Sequence, residues 1–229
     1  MVSAFGAAVS PVLDPPRPVV RRANGSMPPP LPPTGGDDDG DRDPEFRGPG
    51  LENARLATMF LIAGEVMFFA GLVSAYFVLR MGAAQWPPPL QPRLPVLVTG
   101  LNTIVLLASS FALMRTLGDR GDRARVVRGL TLTGALGVVF LLVQGYEWIH
   151  LVGYGLTMTS GAYGASFYTL IGVHGLHVVG ALVWLGVVIA GVRRGRLLEP
   201  PAATLRACGM YWHFVVALWP VLYVAVYLL

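Results

Sequence analysis

The chain has 229 residues, of which 54% are apolar and only 13% are charged. A soluble domain usually carries about 25% charged residues, so this composition argues against an ordinary soluble enzyme. Residues 1–53 hold eight of the 13 acidic residues, whereas residues 54–229 contain long stretches without charge. The distribution predicts a membrane protein that follows a polar N-terminal tail.

The predicted tail, residues 1–53, is rich in proline, glycine and aspartate, and contains 11 of the 19 prolines. Such a composition buries too little apolar surface to offset the entropy of ordering the chain. We therefore expect this tail to be disordered. It lacks a basic start followed by an apolar core, so we do not expect a cleaved signal peptide.

Five apolar stretches follow the tail, and each reaches the roughly 20 residues that a helix needs to cross a hydrocarbon layer of about 30 Å. We therefore predict an all-α membrane protein, a bundle of five transmembrane helices. The predicted spans are 56–79, 94–114, 129–149, 163–192 and 207–229.

All 17 basic residues are Arg, and they are unequally divided between the two sides of the predicted bundle. Fifteen lie before span 1 or in the loops after spans 2 and 4, while only Arg80 and Arg93 lie on the other side. Because cytoplasmic segments are enriched in basic residues, we expect the N-terminus inside and the C-terminus outside. Since the Arg residues flank apolar spans, their charge does not indicate a nucleic-acid partner.

Small residues recur along two of the predicted helices. Stripes of this kind let helix backbones approach closely in lipid, so they favour a packed bundle over five independent anchors. The stripes are Ala57, Gly64 and Gly71 in span 1, and Gly129, Thr133 and Gly137 in span 3.

Glu65 is the clearest ionisable residue inside a predicted span. It lies ten residues after Arg55, roughly 15 Å along a helix. A charged carboxylate at that depth is costly, so we expect a neutral carboxylic acid at pH 7. Two interpretations remain: a group that handles protons or anchors a subunit or lipid, and a carboxyl that only hydrogen-bonds a neighbouring helix.

Two imidazoles, His174 and His177, share one face of span 4 because they are three residues apart. They could form a metal or haem site with His150, His213 or Glu147, or they could hydrogen-bond between helices. We favour hydrogen bonding, because no second helix supplies a recognised ligand spacing. The single cysteine also rules out a site made of several thiolates. We therefore predict neither a metal site nor a catalytic residue.

Aromatic residues accompany the polar ones near two span ends. Trp148 follows Glu147 near the end of span 3, and Tyr211 and Trp212 precede His213 at the start of span 5. Aromatic side chains are enriched at membrane interfaces. We therefore expect Trp148, Tyr211 and Trp212 to contact lipid or an interface.

Five segments in chain order carry a family resemblance: Phe60–Phe69, Leu101–Ser110, Gln144–Trp148, Phe167–Val178 and Tyr211–Val215. Together they make residues 54–229 similar to subunit III of haem–copper cytochrome oxidases, in its five-helix form. The resemblance implies an integral subunit of a proton-pumping terminal oxidase in aerobic respiration, in a bacterial plasma membrane. It also implies that this chain has no redox centre, and that haem and copper belong to partner subunits.

The resemblance further implies direct packing on subunit I, association with subunit II, bound phospholipid, and support of proton uptake and of stability during turnover. A respiratory supercomplex is a candidate setting. Two other functions stay open: an accessory subunit of a quinol oxidase or nitric oxide reductase complex, and a small transporter or haem protein.

The family's functional positions map onto particular residues of this chain. Glu65 falls on the family's buried carboxylate that reacts with carbodiimides. The family's recurring polar positions, structural or proton-related, correspond to Glu147, His174, His177 and His213. Val216 stands where the family usually has Asp, so His213 lacks that carboxylate as a partner.

Overall fold

The computed structural model describes residues 49–89, 94–118, 122–195 and 203–229. Within these ranges the protein is helical and contains no β-strand. The helices are α1 (Pro49–Gly82), α2 (Val96–Gly118), α3 (Arg123–Gly153), α4 (Gly161–Arg193) and α5 (Ala203–Tyr223), and α5 continues as a π-helix, Val224–Leu228. All five helices are long and apolar enough to cross a membrane. The predicted all-α fold class is confirmed.

Most helices extend beyond the predicted spans. Helix α1 begins at Pro49, a residue that the first turn of a helix tolerates. Residues 49–53, which we assigned to the tail, are therefore helical, while residues 1–48 lie outside the described part of the chain. Helix α3 begins at Arg123, six residues before the predicted span. Hydropathy marks where a chain enters lipid, whereas the helix itself can continue into water.

Helix α5 occupies the centre of the bundle. It packs against α1, α2 and α4, while α3 packs against α2 and α4. Its indoles Trp212 and Trp219 are the largest fully buried side chains. Helix α1 packs against α4 and α5 but exposes most of its apolar side chains, as expected of a helix that faces lipid or another protein.

Polar side chains join the helices through hydrogen bonds. The Asn102 Nδ2 group of α2 donates to the Phe140 carbonyl of α3 over 3.0 Å. The Trp219 Nε1 group of α5 donates to Thr103 Oγ1 of α2 over 2.9 Å. Because lipid offers no water to satisfy these groups, such bonds help to fix which helices are neighbours.

The two small-residue stripes have different surroundings. A Cβ atom at Gly137 of α3 would lie 2.5 Å from Cη2 of Trp212, and Thr133 is buried, so the α3 stripe is a site of close packing. Cβ atoms at Gly64 and Gly71 of α1 would meet nothing within 4 Å. The α1 stripe therefore faces away from the described helices.

Candidate functional site

Glu65 of α1 and His177 of α4 form a polar contact across the two helices. The Glu65 Oε2 and His177 Nε2 atoms are 3.0 Å apart. In the described part of the chain, this is the one contact of a carboxyl group with a basic side chain. The pair thus joins the most exposed helix to the rest of the bundle.

A backbone hydrogen bond determines the position of one of the two protons of this pair. His177 Nδ1 is 2.7 Å from the Val173 carbonyl, and because a carbonyl only accepts, Nδ1 must carry a proton. The contact with Glu65 then holds one further proton, since two lone pairs 3.0 Å apart would repel. That proton lies on the carboxyl, leaving both groups neutral, or on the imidazole, forming an ion pair. The neutral carboxylic acid expected from the sequence is one of these two states.

The pair is located at the surface of the bundle. The side chains of His177 and Glu65 are 20% and 19% exposed. They open onto a cavity of about 510 Å³ whose other walls are Phe60, Leu61, Gly64 and Phe68. An ionisable group next to lipid is costly unless protein or lipid polar groups cover it. The geometry therefore suits a proton-sharing pair that lies against a neighbour.

His174 differs from His177, although both rings contact Phe69, with ring centroids 6.4 Å and 5.1 Å away. His174 is fully buried and stacks on Trp219 at 5.0 Å. Neither of its ring nitrogens has a hydrogen-bond partner among the described residues. The expectation of hydrogen bonding between helices therefore describes His177 and not His174.

His213 of α5 pairs with α2. Its Nδ1 atom shares a hydrogen bond with the Ser110 hydroxyl, and Val216 is buried at 2% exposure. The Ser110 hydroxyl is thus the hydrogen-bond partner of His213, in a chain that has Val216 where the family usually has Asp. Glu147 is half-buried on α3 and takes no part in the Glu65–His177 pair.

The three predicted interface aromatics occupy different environments. Trp148 is half-buried and meets Tyr168 edge-on at 5.5 Å. Tyr211 is nearly buried, and Trp212, 1% exposed, donates from Nε1 to Ser109 Oγ over 3.2 Å. The expectation that Tyr211 and Trp212 face a membrane interface is corrected here: both lie inside the bundle, because α5 is its central helix.

The structure also assigns roles to residues that the sequence reasoning missed. Asn102, Ser109 and Ser110 of α2 each bond to another helix or to its side chains. Their seven- and eight-residue spacing along an apolar span was the signal that could have identified them. The described residues contain no group of three His, Cys, Asp or Glu side chains placed to hold a metal ion.

Comparison with known proteins gives the family. A sequence profile described as cytochrome c oxidase subunit III matches residues 49–229. The chain belongs to the cytochrome c oxidase subunit III family. The matched region begins at the first residue of α1 and includes all five helices.

Individual relatives agree with this assignment. A probable cytochrome c oxidase subunit 3 of Mycobacterium leprae is 37% identical over 75% of this chain and 86% of its own length. The cytochrome c oxidase subunit 3 of Synechocystis is 36% identical over 75% and 73%. That of Thermostichus vulcanus is 37% identical over 81% and 89%. The resemblance seen in the sequence is confirmed, and with it a multi-pass protein of a bacterial membrane.

Proposed function

We propose that this chain is subunit III of a proton-pumping haem–copper terminal oxidase in a bacterial plasma membrane. It packs on subunit I in a complex that also contains subunit II, binds phospholipid, and supports proton uptake and stability during turnover. Haem and copper belong to its partners. The names of its relatives favour a cytochrome c oxidase over a quinol oxidase or nitric oxide reductase complex.

The observation that supports this role best is the Glu65–His177 pair. It holds one transferable proton across 3.0 Å without needing a net charge in the membrane. It opens to the outer surface of α1, where a catalytic subunit or a phospholipid would cover it. A group that only stabilised the bundle would need no such opening.

The test replaces Glu65 with Gln in the assembled oxidase and measures how activity decays during sustained turnover. Gln fills the same volume but cannot exchange a proton. We expect E65Q to assemble with a normal haem content and to lose activity at least severalfold faster per turnover than the wild type.

The matched control is E147Q, because Glu147 is the other carboxyl within the predicted membrane spans and makes no ion pair among the described residues. E147Q is expected to decay like the wild type. If E65Q also decayed at the wild-type rate, Glu65 would be a packing residue and the proton-related role would be wrong.

A further inference from the structure

A small cavity of about 130 Å³ lies where the end of α2 meets the start of α3. The residues that line it are Arg115, Thr116, Arg125 and Val126. Arg115 belongs to the last turn of α2, and Arg125 is the third residue of α3. Two arginines from different helices therefore share one cavity.

A close contact between α2 and α3 fixes the position of this cavity. A Cβ atom at Gly129 would overlap the Thr116 side chain, so the glycine lets the two helices approach closely. Gly129 is one helical turn after Arg125, and Thr116 is the neighbour of Arg115. The contact therefore brings the two arginines together, and the cavity is a preformed feature of the bundle.

The positive charge at this cavity is not balanced within the described part of the chain. Neither Arg115 nor Arg125 forms an ion pair with a described carboxylate, and Asp122, near Arg125 in the sequence, is exposed and unpaired there. Two guanidinium groups at one cavity repel each other. A phosphate group would remove this repulsion and accept paired hydrogen bonds from arginine. The cavity therefore favours an anion.

The depth of the cavity matches that of phospholipid phosphates. Arg115 is the first residue after the predicted span 94–114, and Arg125 lies four residues before the predicted span 129–149. At 1.5 Å per residue, both lie within about 6 Å of the hydrocarbon boundary. The headgroup layer extends about 5–8 Å beyond that boundary on each side of a bilayer. A phosphate in the cavity would therefore lie where phospholipids carry theirs.

An apolar surface continues from Arg115 toward the membrane interior. The Cζ atom of Arg115 lies 4.7 Å from the centroid of the Phe111 ring, which is one helical turn deeper in α2. Phe111 is 51% exposed. A lipid held by its phosphate would cover this ring with an acyl chain, whereas a soluble phosphate would leave it exposed. This surface favours a phospholipid over a free anion.

We propose that Arg115 and Arg125 bind the phosphate group of an anionic phospholipid, of the phosphatidylglycerol type, in the headgroup layer beside the α2–α3 cavity. A zwitterionic phospholipid binds more weakly, because no carboxylate lines the cavity to pair with its ammonium group. The proposal rests on the phospholipid binding included in the proposed function and gives it a site. It involves none of the haem–copper chemistry.

The test uses the chain extracted in mild detergent with its native partners. The probe is phosphatidylglycerol with a diazirine on the first carbons of one acyl chain. After illumination and proteolysis, we expect label on peptides that contain Phe111, Arg115 or Arg125. Excess unlabelled phosphatidylglycerol should suppress the label. Phosphatidylethanolamine at the same concentration should suppress it about fivefold less, and inorganic phosphate should not suppress it.

Single substitutions of arginine locate the site. R115Q and R125Q are each expected to reduce the labelling of these peptides about five- to tenfold, because each arginine supplies charge-assisted hydrogen bonds to the phosphate. R128Q is the matched control. Arg128 is also an exposed arginine of α3, but it does not line the cavity. R128Q should label within about twofold of the wild type, since it removes the same charge from the same helix.

Label that appears elsewhere on the chain, or that R115Q and R125Q leave unchanged, would overturn the proposal. Equal suppression by phosphatidylethanolamine would also overturn it, and suppression by inorganic phosphate would assign the cavity to a soluble anion instead. Peptide mapping and competition need only the wild-type chain, so they give an answer even if a variant fails to assemble. Label at this site on a chain without oxidase partners would support the site and contradict the proposed function.

Discussion

At the scale of single residues, the Glu65–His177 contact combines two requirements. The Val173 carbonyl orients the imidazole, and this leaves Nε2 to share one proton with the carboxyl 3.0 Å away. Each group provides the hydrogen-bond partner of the other. This lowers the free-energy cost of placing both in the membrane, because a partly exposed polar atom next to lipid otherwise lacks a partner. The two residues should therefore behave as a unit when they are substituted.

Substitution of one partner should lower the stability of the complex more than substitution of both. H177L leaves the Glu65 carboxyl without its partner and is expected to destabilise the complex by about 1–3 kcal/mol. The double variant E65L/H177L replaces both groups with apolar side chains and should be closer to the wild type. Thermal denaturation of the detergent-extracted complex, followed by size-exclusion chromatography, measures both.

The single variant E65L completes a double-mutant cycle with the wild type, H177L and the double variant. Additive effects of E65L and H177L would contradict the coupling, because independent residues lose stability independently.

At the scale of helices, the sequence predicted the number and approximate positions of the helices, because these depend on local composition. Five long apolar stretches were enough to predict five helices, because a membrane permits few other structures. The sequence did not predict which helix is central, since that depends on contacts between distant residues. Trp212 and Tyr211 show this: next to a polar loop they resemble an interface belt, yet α5 is surrounded by α1, α2 and α4.

The candidate site was also predicted only in part, because its residues can be identified locally but their partners are distant in the sequence. Glu65 and the two imidazoles were identified from their cost in lipid. Their partners were not, because the Glu65–His177 pair joins residues 112 positions apart and the Ser110–His213 pair joins residues 103 positions apart. His174 is buried and unpaired because its ring packs against Phe69, Phe140 and Trp219 from three other helices, and no local pattern in the sequence reports such contacts.

The local contact between Gly137 of α3 and the Trp212 side chain of α5 provides a prediction at this scale. G137A places a Cβ atom 2.5 Å from the Trp212 ring, which is 1% exposed and is held by its hydrogen bond to Ser109. We expect a loss of stability of about 1–3 kcal/mol from this overpacking. G71A is the control, because a Cβ atom there meets nothing within 4 Å and Ala favours helix over Gly.

The same thermal denaturation assay checks this pair of variants. A G137A complex as stable as the G71A complex would contradict the close contact between the two helices.

At the scale of the helix bundle, the surface of α1 is the one that distinguishes this chain. Helix α1 exposes its small-residue stripe and the Glu65 cavity, and either lipid or another protein would cover such a surface. The orientation of the bundle, with the N-terminus inside, stays a prediction that depends on the distribution of Arg. We therefore expect the proposed partner subunits to contact α1.

The most direct test is to identify what remains attached to the chain after mild detergent extraction, and to record its absorption spectrum. We expect haem–copper catalytic subunits to co-purify with the chain in equal amounts, and we expect the chain to be colourless once it is separated from them. A chain that is monodisperse alone and binds haem or copper stoichiometrically would contradict its proposed function as subunit III.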